Sequence, residues 1–115
     1  MAADYLRGLG YEIIGRNIRE KFGEIDILAK SRDGAIHFVE VKTISADAAE
    51  ATGMDPEDYL RRGKIDRMKR MAGWYMGLHS ELSGSYQLDL VAIKAEEGSA
   101  AAGKSQAIKL YTNLC

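Results

Sequence analysis

The sequence predicts an α/β domain, with a mixed central sheet of about five strands flanked by helices in the order α-β-β-β-α-β-β. Three observations carry this prediction. Two strand-like runs, Glu24-Ile25-Asp26-Ile27-Leu28-Ala29 and Ile36-His37-Phe38-Val39-Glu40-Val41-Lys42, flank Ser31-Arg32-Asp33-Gly34, whose Asp-Gly pair is a strong hairpin signal. A helical apolar pattern follows at Leu60, Ile65, Met68, Met71, Ala72, Tyr75 and Met76. Residues 86–93 then form a strand that is apolar at Leu88, Leu90 and Ala92 and again at Val91 and Ile93, which suits a central strand covered on both faces.

Taken in order, residues 2–9 favour a short helix with an apolar stripe of Tyr5, Leu6 and Leu9, stopped near Gly8 and Gly10. Residues 11–16 read as the first strand. Residues 17–23 read as a polar connection, which carries Arg19 and Lys21 just after Arg16. The second and third strands are residues 24–30 and 36–43. Residues 44–55, rich in Ala, Asp and Glu, leave a loop and a short helix both open. Asp55-Pro56-Glu57-Asp58 has the form of a helix start, with a capping Asp, Pro at the first helical position and acids in the first turn. That helix should run to about Leu78, although Gly63, Gly73 and Gly77 each cost about 1 kcal/mol relative to Ala. Residues 95–106 are low in complexity and read as a flexible turn, and residues 107–112 close the sheet as its fifth strand. A length of 115 residues makes residues 1–115 a single domain.

Composition narrows the functional classes. With 46% hydrophobic and 29% charged residues, the chain has the make-up of a soluble globular protein. Its net charge of −1 means that any surface for a polyanion must come from local basic patches. The sole cysteine, Cys115, excludes an intrachain disulfide and a cysteine-based metal site, and fits a reducing cytoplasm. No apolar run approaches the roughly 20 residues that span a bilayer, and no signal pattern opens the chain. The expectation is a cytoplasmic protein with no membrane association.

The chemistry lies in the two acidic strands. Alternation puts Asp26 on the face of Glu24, and Lys42 on the face of Glu40. Pairing as a hairpin would gather two or three carboxylates and one ammonium at one place. Such a cluster costs stability unless a cation requires it, because like charges repel and burial penalises each. Glu40 also interrupts an apolar Phe38-Val39-x-Val41 run, where a charge is seldom idle. Hard carboxylate oxygens suit Mg2+ or Mn2+, and such an ion serves phosphodiester hydrolysis. Lys42 could hold the attacking water or stabilise the transition state. Glu24, roughly 6–7 Å along the strand from Asp26, could contact a metal-bound water. For an arbitrary Glu-x-Lys the plainer reading is a cross-strand ion pair, because short motifs recur by chance.

Basic residues supply the rest. Arg61, Arg62, Lys64, Arg67, Lys69 and Arg70 open the long helix against a single acid, Asp66. They read either as a face that grips phosphates or as an ordinary solvated surface. Arg16, Arg19 and Lys21 are open to the same pair of readings. His37 points away from the Glu40 face and reads as a structural histidine, and His79 as a charge at a helix C-terminus. Trp74, Tyr75, Met68, Met71 and Met76 read as core or dimer packing. Asp89, in an apolar strand, is expected to hydrogen-bond a basic residue and to lie outside any metal site.

On Tyr5-Leu6, Gly10-Tyr11, Arg16-Asn17 with Arg19, Gly23-Glu24-Ile25-Asp26 and Phe38-Val39-Glu40-Val41-Lys42, with a weaker match at Leu88-Asp89-Leu90-Val91, the chain resembles the PD-(D/E)XK nuclease superfamily. Within it, the chain is most similar to the YraN-like family, relatives of Holliday-junction resolvases. The Gly-Glu-Ile-Asp and Val-Glu-Val-Lys blocks in this order are what make the resemblance specific. It implies a restriction-endonuclease-like fold, a divalent metal (Mg2+ or Mn2+) bound by Asp26, Glu40 and the main-chain carbonyl of Val41, and Lys42 as the catalytic lysine. It also implies DNA as the substrate and a homodimer, because junction cutters match a two-fold symmetric substrate. The chain departs from the pattern twice. Ile25 stands where the superfamily has Pro, as is usual in the YraN-like subgroup, and the first-helix glutamate of family members is missing ahead of Ala2-Ala3-Asp4-Tyr5-Leu6, which leaves open a truncated chain and a site that works without it. The expected activity is therefore metal-dependent hydrolysis of structured or branched DNA. The alternatives are a nucleic-acid-binding module that keeps the fold without the activity, and a plain scaffold.

Overall fold

A computed structural model describes residues 2–21, 23–45, 62–82, 84–95 and 106–114, with side chains for all of these but 44, 45, 62, 63, 94, 95, 106 and 107. The elements are helix α1 (Ala2–Gly8), strands β1 (Glu12–Glu20), β2 (Gly23–Lys30) and β3 (Ile36–Ser45), helix α2 (Arg62–Leu78), and strands β4 (Tyr86–Ala95) and β5 (Gln106–Tyr111). They form one mixed sheet in the order β1-β2-β3-β4-β5. The β1–β2, β2–β3 and β4–β5 pairs are antiparallel, and β3–β4 is parallel. A parallel pair cannot be closed by a tight turn and needs a crossover, and α2 lies on that connection. This is the mixed, helix-flanked sheet that the sequence predicts, and it is consistent with a restriction-endonuclease-like fold.

The sheet separates two cores. On one side α1 packs Ala2, Ala3 and Leu6 against Ile27, Ala29, Val39, Val91 and Ile93. On the other, α2 lays Met68, Met71 and Ala72 over Ile25, Leu28, Ile36, Phe38 and Leu88. Alternate residues of β4 serve opposite cores, which is why its sequence is apolar on both faces. Trp74, Tyr75 and Met76 pack half-buried beside the α2 core.

The first strand is longer than its sequence indicates. Residues 17–20 continue β1 instead of leaving it as a polar connection, and Ile18, Arg19 and Glu20 pair with Ile25, Glu24 and Gly23. Backbone pairing is indifferent to side-chain polarity, and charged residues are what an edge strand tolerates best. Asn17 interrupts this stretch with φ of 52°, a left-handed conformation that Asn adopts more readily than most residues. Ile13 packs on the α1 core and Ile14 on the α2 core, as strand alternation requires, and a one-residue irregularity lies between Ile13 and Gly15. Residues 44–45, left open between loop and helix, continue β3, and residues 95 and 106 of the expected flexible turn belong to β4 and β5; Arg61, the expected helix start at Asp55-Pro56 and the rest of both stretches lie outside the described residues.

Asp89, fully buried, is the polar anchor of the central strand. Its Oδ2 lies 2.6 Å from His37 Nδ1, and its Oδ1 accepts from Gln87 Nε2 at 2.9 Å and from the Asn113 N–H at 3.0 Å. The other nitrogen of His37, Nε2, lies 2.9 Å from Ser31 Oγ in the β2–β3 turn. The basic partner expected for Asp89 is thus His37, and the network ties the hairpin turn to β4 and the C-terminal segment. Burial, then the charges of Asp89 and Asp33, push the pKa of Tyr11 up beside this network.

Candidate active site

The β2–β3 ladder runs from Lys30↔Ile36 to Ile27↔Val39 and stops there. The next facing positions in that register are Asp26 and Glu40. Where the ladder ends, a side chain replaces the backbone: Asp26 Oδ2 accepts the N–H of Val41 at 2.8 Å. Ile25 and Leu28 both pack on the α2 side, whereas Ile27 and Ala29 pack on the α1 side, so strict alternation breaks at Asp26. The break has a consequence for Glu24, which the sequence places on the face of Asp26. Asp26 lines a cavity on the α1 side with Ala2, Ala3, Arg16, Asn17, Ile27 and Val41, of about 370 Å³. Glu24 instead lines a cavity on the α2 side, of about 300 Å³, and pairs with Arg19 at 3.3 Å.

Glu40 is buried, 7% exposed, and its charge is only half answered. Oε1 lies 3.1 Å from the ammonium of Lys64 on α2, whereas Oε2 is buried with no hydrogen-bond partner among the described residues. Burial raises the pKa of Glu40, the neighbouring Asp26 raises it further, and the hydrogen bond and charge of Lys64 offset part of this. An orphaned carboxylate oxygen next to a second carboxylate is an arrangement that a hard cation would complete. The main chain of Val41 fits the same use. In an extended strand the N–H and C=O of one residue point the same way, so its carbonyl faces the gap where β2 no longer pairs. Among the described residues, however, no three His, Cys, Asp or Glu side chains stand close enough together to hold a metal.

The cations arrange themselves differently from their order in sequence. Lys42, which alternation places on the Glu40 face, is exposed and has no ion pair among the described residues. The partner of Glu40 is Lys64, which the sequence assigns only to a surface grip. The missed signal was helical spacing: Lys64 stands one turn before Met68, 2% exposed, on the stripe that α2 turns to the sheet. Arg67, Lys69 and Arg70 are exposed, as are Arg16, Arg19 and Lys21; the side chain of Arg62 is not described. Arg19, Lys21, Lys64 and Arg67 converge on the α2-side cavity, whereas Arg16 lines the other.

Fold and site together describe an α/β protein with an acidic pair at the fork of a hairpin, bordered by cations. The chain belongs to the uncharacterised protein family UPF0102, whose model matches residues 1–93. A UPF0102 protein of Campylobacter concisus is 40% identical over 95 residues, covering 83% of this chain and 78% of the relative. One from Campylobacter fetus is 38% identical over 94 residues, covering 82% and 77%. One from Mycolicibacterium gilvum is 34% identical over 101 residues, covering 85% and 77%. Among the described residues no helix is long and apolar enough to cross a membrane.

Proposed function

We propose that this protein is a metal-dependent nuclease of the PD-(D/E)XK type that hydrolyses DNA phosphodiester bonds, with structured or branched DNA as its substrate. The reading rests on one observation above the others: Glu40 holds a buried oxygen with no partner among the described residues, beside Asp26 at the point where β2 and β3 part. Asp26, Glu40 and the carbonyl of Val41 are the groups that would hold Mg2+ or Mn2+. When bound, such an ion supplies charge neutralisation on the phosphate and a water of lowered pKa. Lys42, exposed just beyond Glu40, is the cation assigned to the reacting phosphate, and Glu24 to water near it. Arg16, Arg19, Lys21, Arg61, Arg62, Lys64, Arg67, Lys69 and Arg70 are assigned to the phosphates of the bound strand. The same reading makes the protein cytoplasmic, and a homodimer on two-fold symmetric junctions.

The test is incubation of the protein with branched, single-stranded and duplex DNA, with Mn2+ and with chelator. Cleavage with Mn2+ alone, abolished by Asp26→Asn and Lys42→Ala while both variants still fold, is the expected result. Binding without cleavage is the second reading, favoured by the lack of a third metal-ligating side chain among the described residues. It predicts a gel shift that is independent of metal and indifferent to both substitutions.

A further inference from the structure

Asp26, whose oxygen caps Val41, does not line the α2-side cavity, and of the cavity walls the proposed metal chemistry uses only Glu24. Its walls come from two separate parts of the chain: Arg19, Lys21 and Glu24 from β1, its turn and β2, and Lys64 and Arg67 from α2. Two of the four cations are already matched, Arg19 with Glu24 at 3.3 Å and Lys64 with Glu40 at 3.1 Å. Lys21 and Arg67 are exposed and have no ion pair among the described residues. Set against Glu20, Glu24 and the Glu40 that pairs with Lys64, the four cations leave the cavity of about 300 Å³ with one positive charge in excess. Two of those cations are guanidinium groups, whose planar fork matches tetrahedral oxyanions. Lys64 joins the cavity to the acidic pair, so an anion held there stands one side chain away from Glu40.

We propose that this cavity is a phosphate-binding subsite that holds one phosphate of a nucleic-acid strand, gripped by Lys21 and Arg67 and placed beside Glu40 by Lys64. The proposal deepens the nuclease reading and rests on it for the identity of the ligand, but phosphate binding here needs no metal. The test is fluorescence anisotropy of a labelled single-stranded oligonucleotide in chelator, with inorganic phosphate as competitor. Arg67→Glu and Lys21→Glu change exposed side chains, and their folding is checked by thermal melts. Each is expected to weaken binding about tenfold at low salt and to lower the slope of log affinity against log salt by about 0.7. Lys109→Glu, on the exposed face of β5 at the opposite edge of the sheet, is the control and should leave affinity within about twofold. Tighter binding of a 5′-phosphorylated than of a 5′-hydroxyl oligonucleotide assigns the subsite to a terminal monoester; equal binding assigns it to a backbone diester. An equal loss in Lys109→Glu, or no loss in the two cavity variants, overturns the proposal. If the protein takes up Mn2+ and cleaves DNA yet shows no dependence on the cavity, this inference alone fails. If it binds through the cavity but takes no Mn2+, the nuclease reading alone fails.

Discussion

Asp26 has a structural duty as well as a proposed chemical one. Its carboxylate satisfies the Val41 N–H that β2 would otherwise have paired, so its removal leaves a backbone donor without its partner. Asp26→Ala should therefore cost about 1–3 kcal/mol in urea unfolding. Asp26→Asn keeps an acceptor and should cost less than about 1 kcal/mol, which makes it the cleaner probe of chemistry. Glu40 behaves in the opposite sense. Burial and Asp26 outweigh Lys64, so its folded pKa lies above the ordinary glutamate value. A native state that holds the proton more tightly loses stability as pH rises from the ordinary value through the folded one. Glu40→Gln should accordingly raise the melting temperature at neutral pH, and the gain should vanish below about pH 4, where the carboxyl is protonated in both states. A melting temperature unchanged at pH 7 would mean that Lys64 fully compensates the buried charge.

Helix α2 joins the core and the site. Met71 is fully buried between α2 and the sheet, and Lys64 sits two turns earlier on the same helix. Met71→Ala should cost about 2–5 kcal/mol in chemical denaturation through lost burial and the cavity left behind. On the other side of the sheet, β4 is secured by Asp89 and His37 rather than by apolar contact alone. Asp89→Ala orphans partners in the turn, in β4 and near the C-terminus together, and should cost about 3–5 kcal/mol. Neither variant touches the acidic pair, so loss of Mn2+ binding in one that still folds would show that core packing, and not the hairpin alone, sets the geometry of the site. Sequence pattern located both elements through the apolar spacing of α2 and the double-sided β4. It failed for residues 17–20, because their pairing is made by backbone groups that carry no sequence signature.

For the protein as a unit, the nuclease reading predicts a linkage. A ligand that binds only the folded state stabilises it by mass action, about 2.7 kcal/mol at a hundredfold excess over Kd. Mn2+ should therefore raise the melting temperature, and chelator should reverse the rise. The shift should disappear in Asp26→Asn and in Glu40→Gln, measured by calorimetry. If wild type shows no shift at millimolar Mn2+, the binding-module reading gains.

The hairpin and its Asp-Gly turn were legible from the chain alone, because a short turn fixes register over a few residues, whereas the break in alternation that parts Glu24 from Asp26 was not. Lys64 against Glu40, His37 against Asp89 and the four-cation cavity were not. Each joins residues from separate elements, and their meeting depends on how α2 is rotated and seated on the sheet. Local periodicity specifies which face of a helix is apolar, but only close packing across the core decides which polar residue at the border of that face meets which partner.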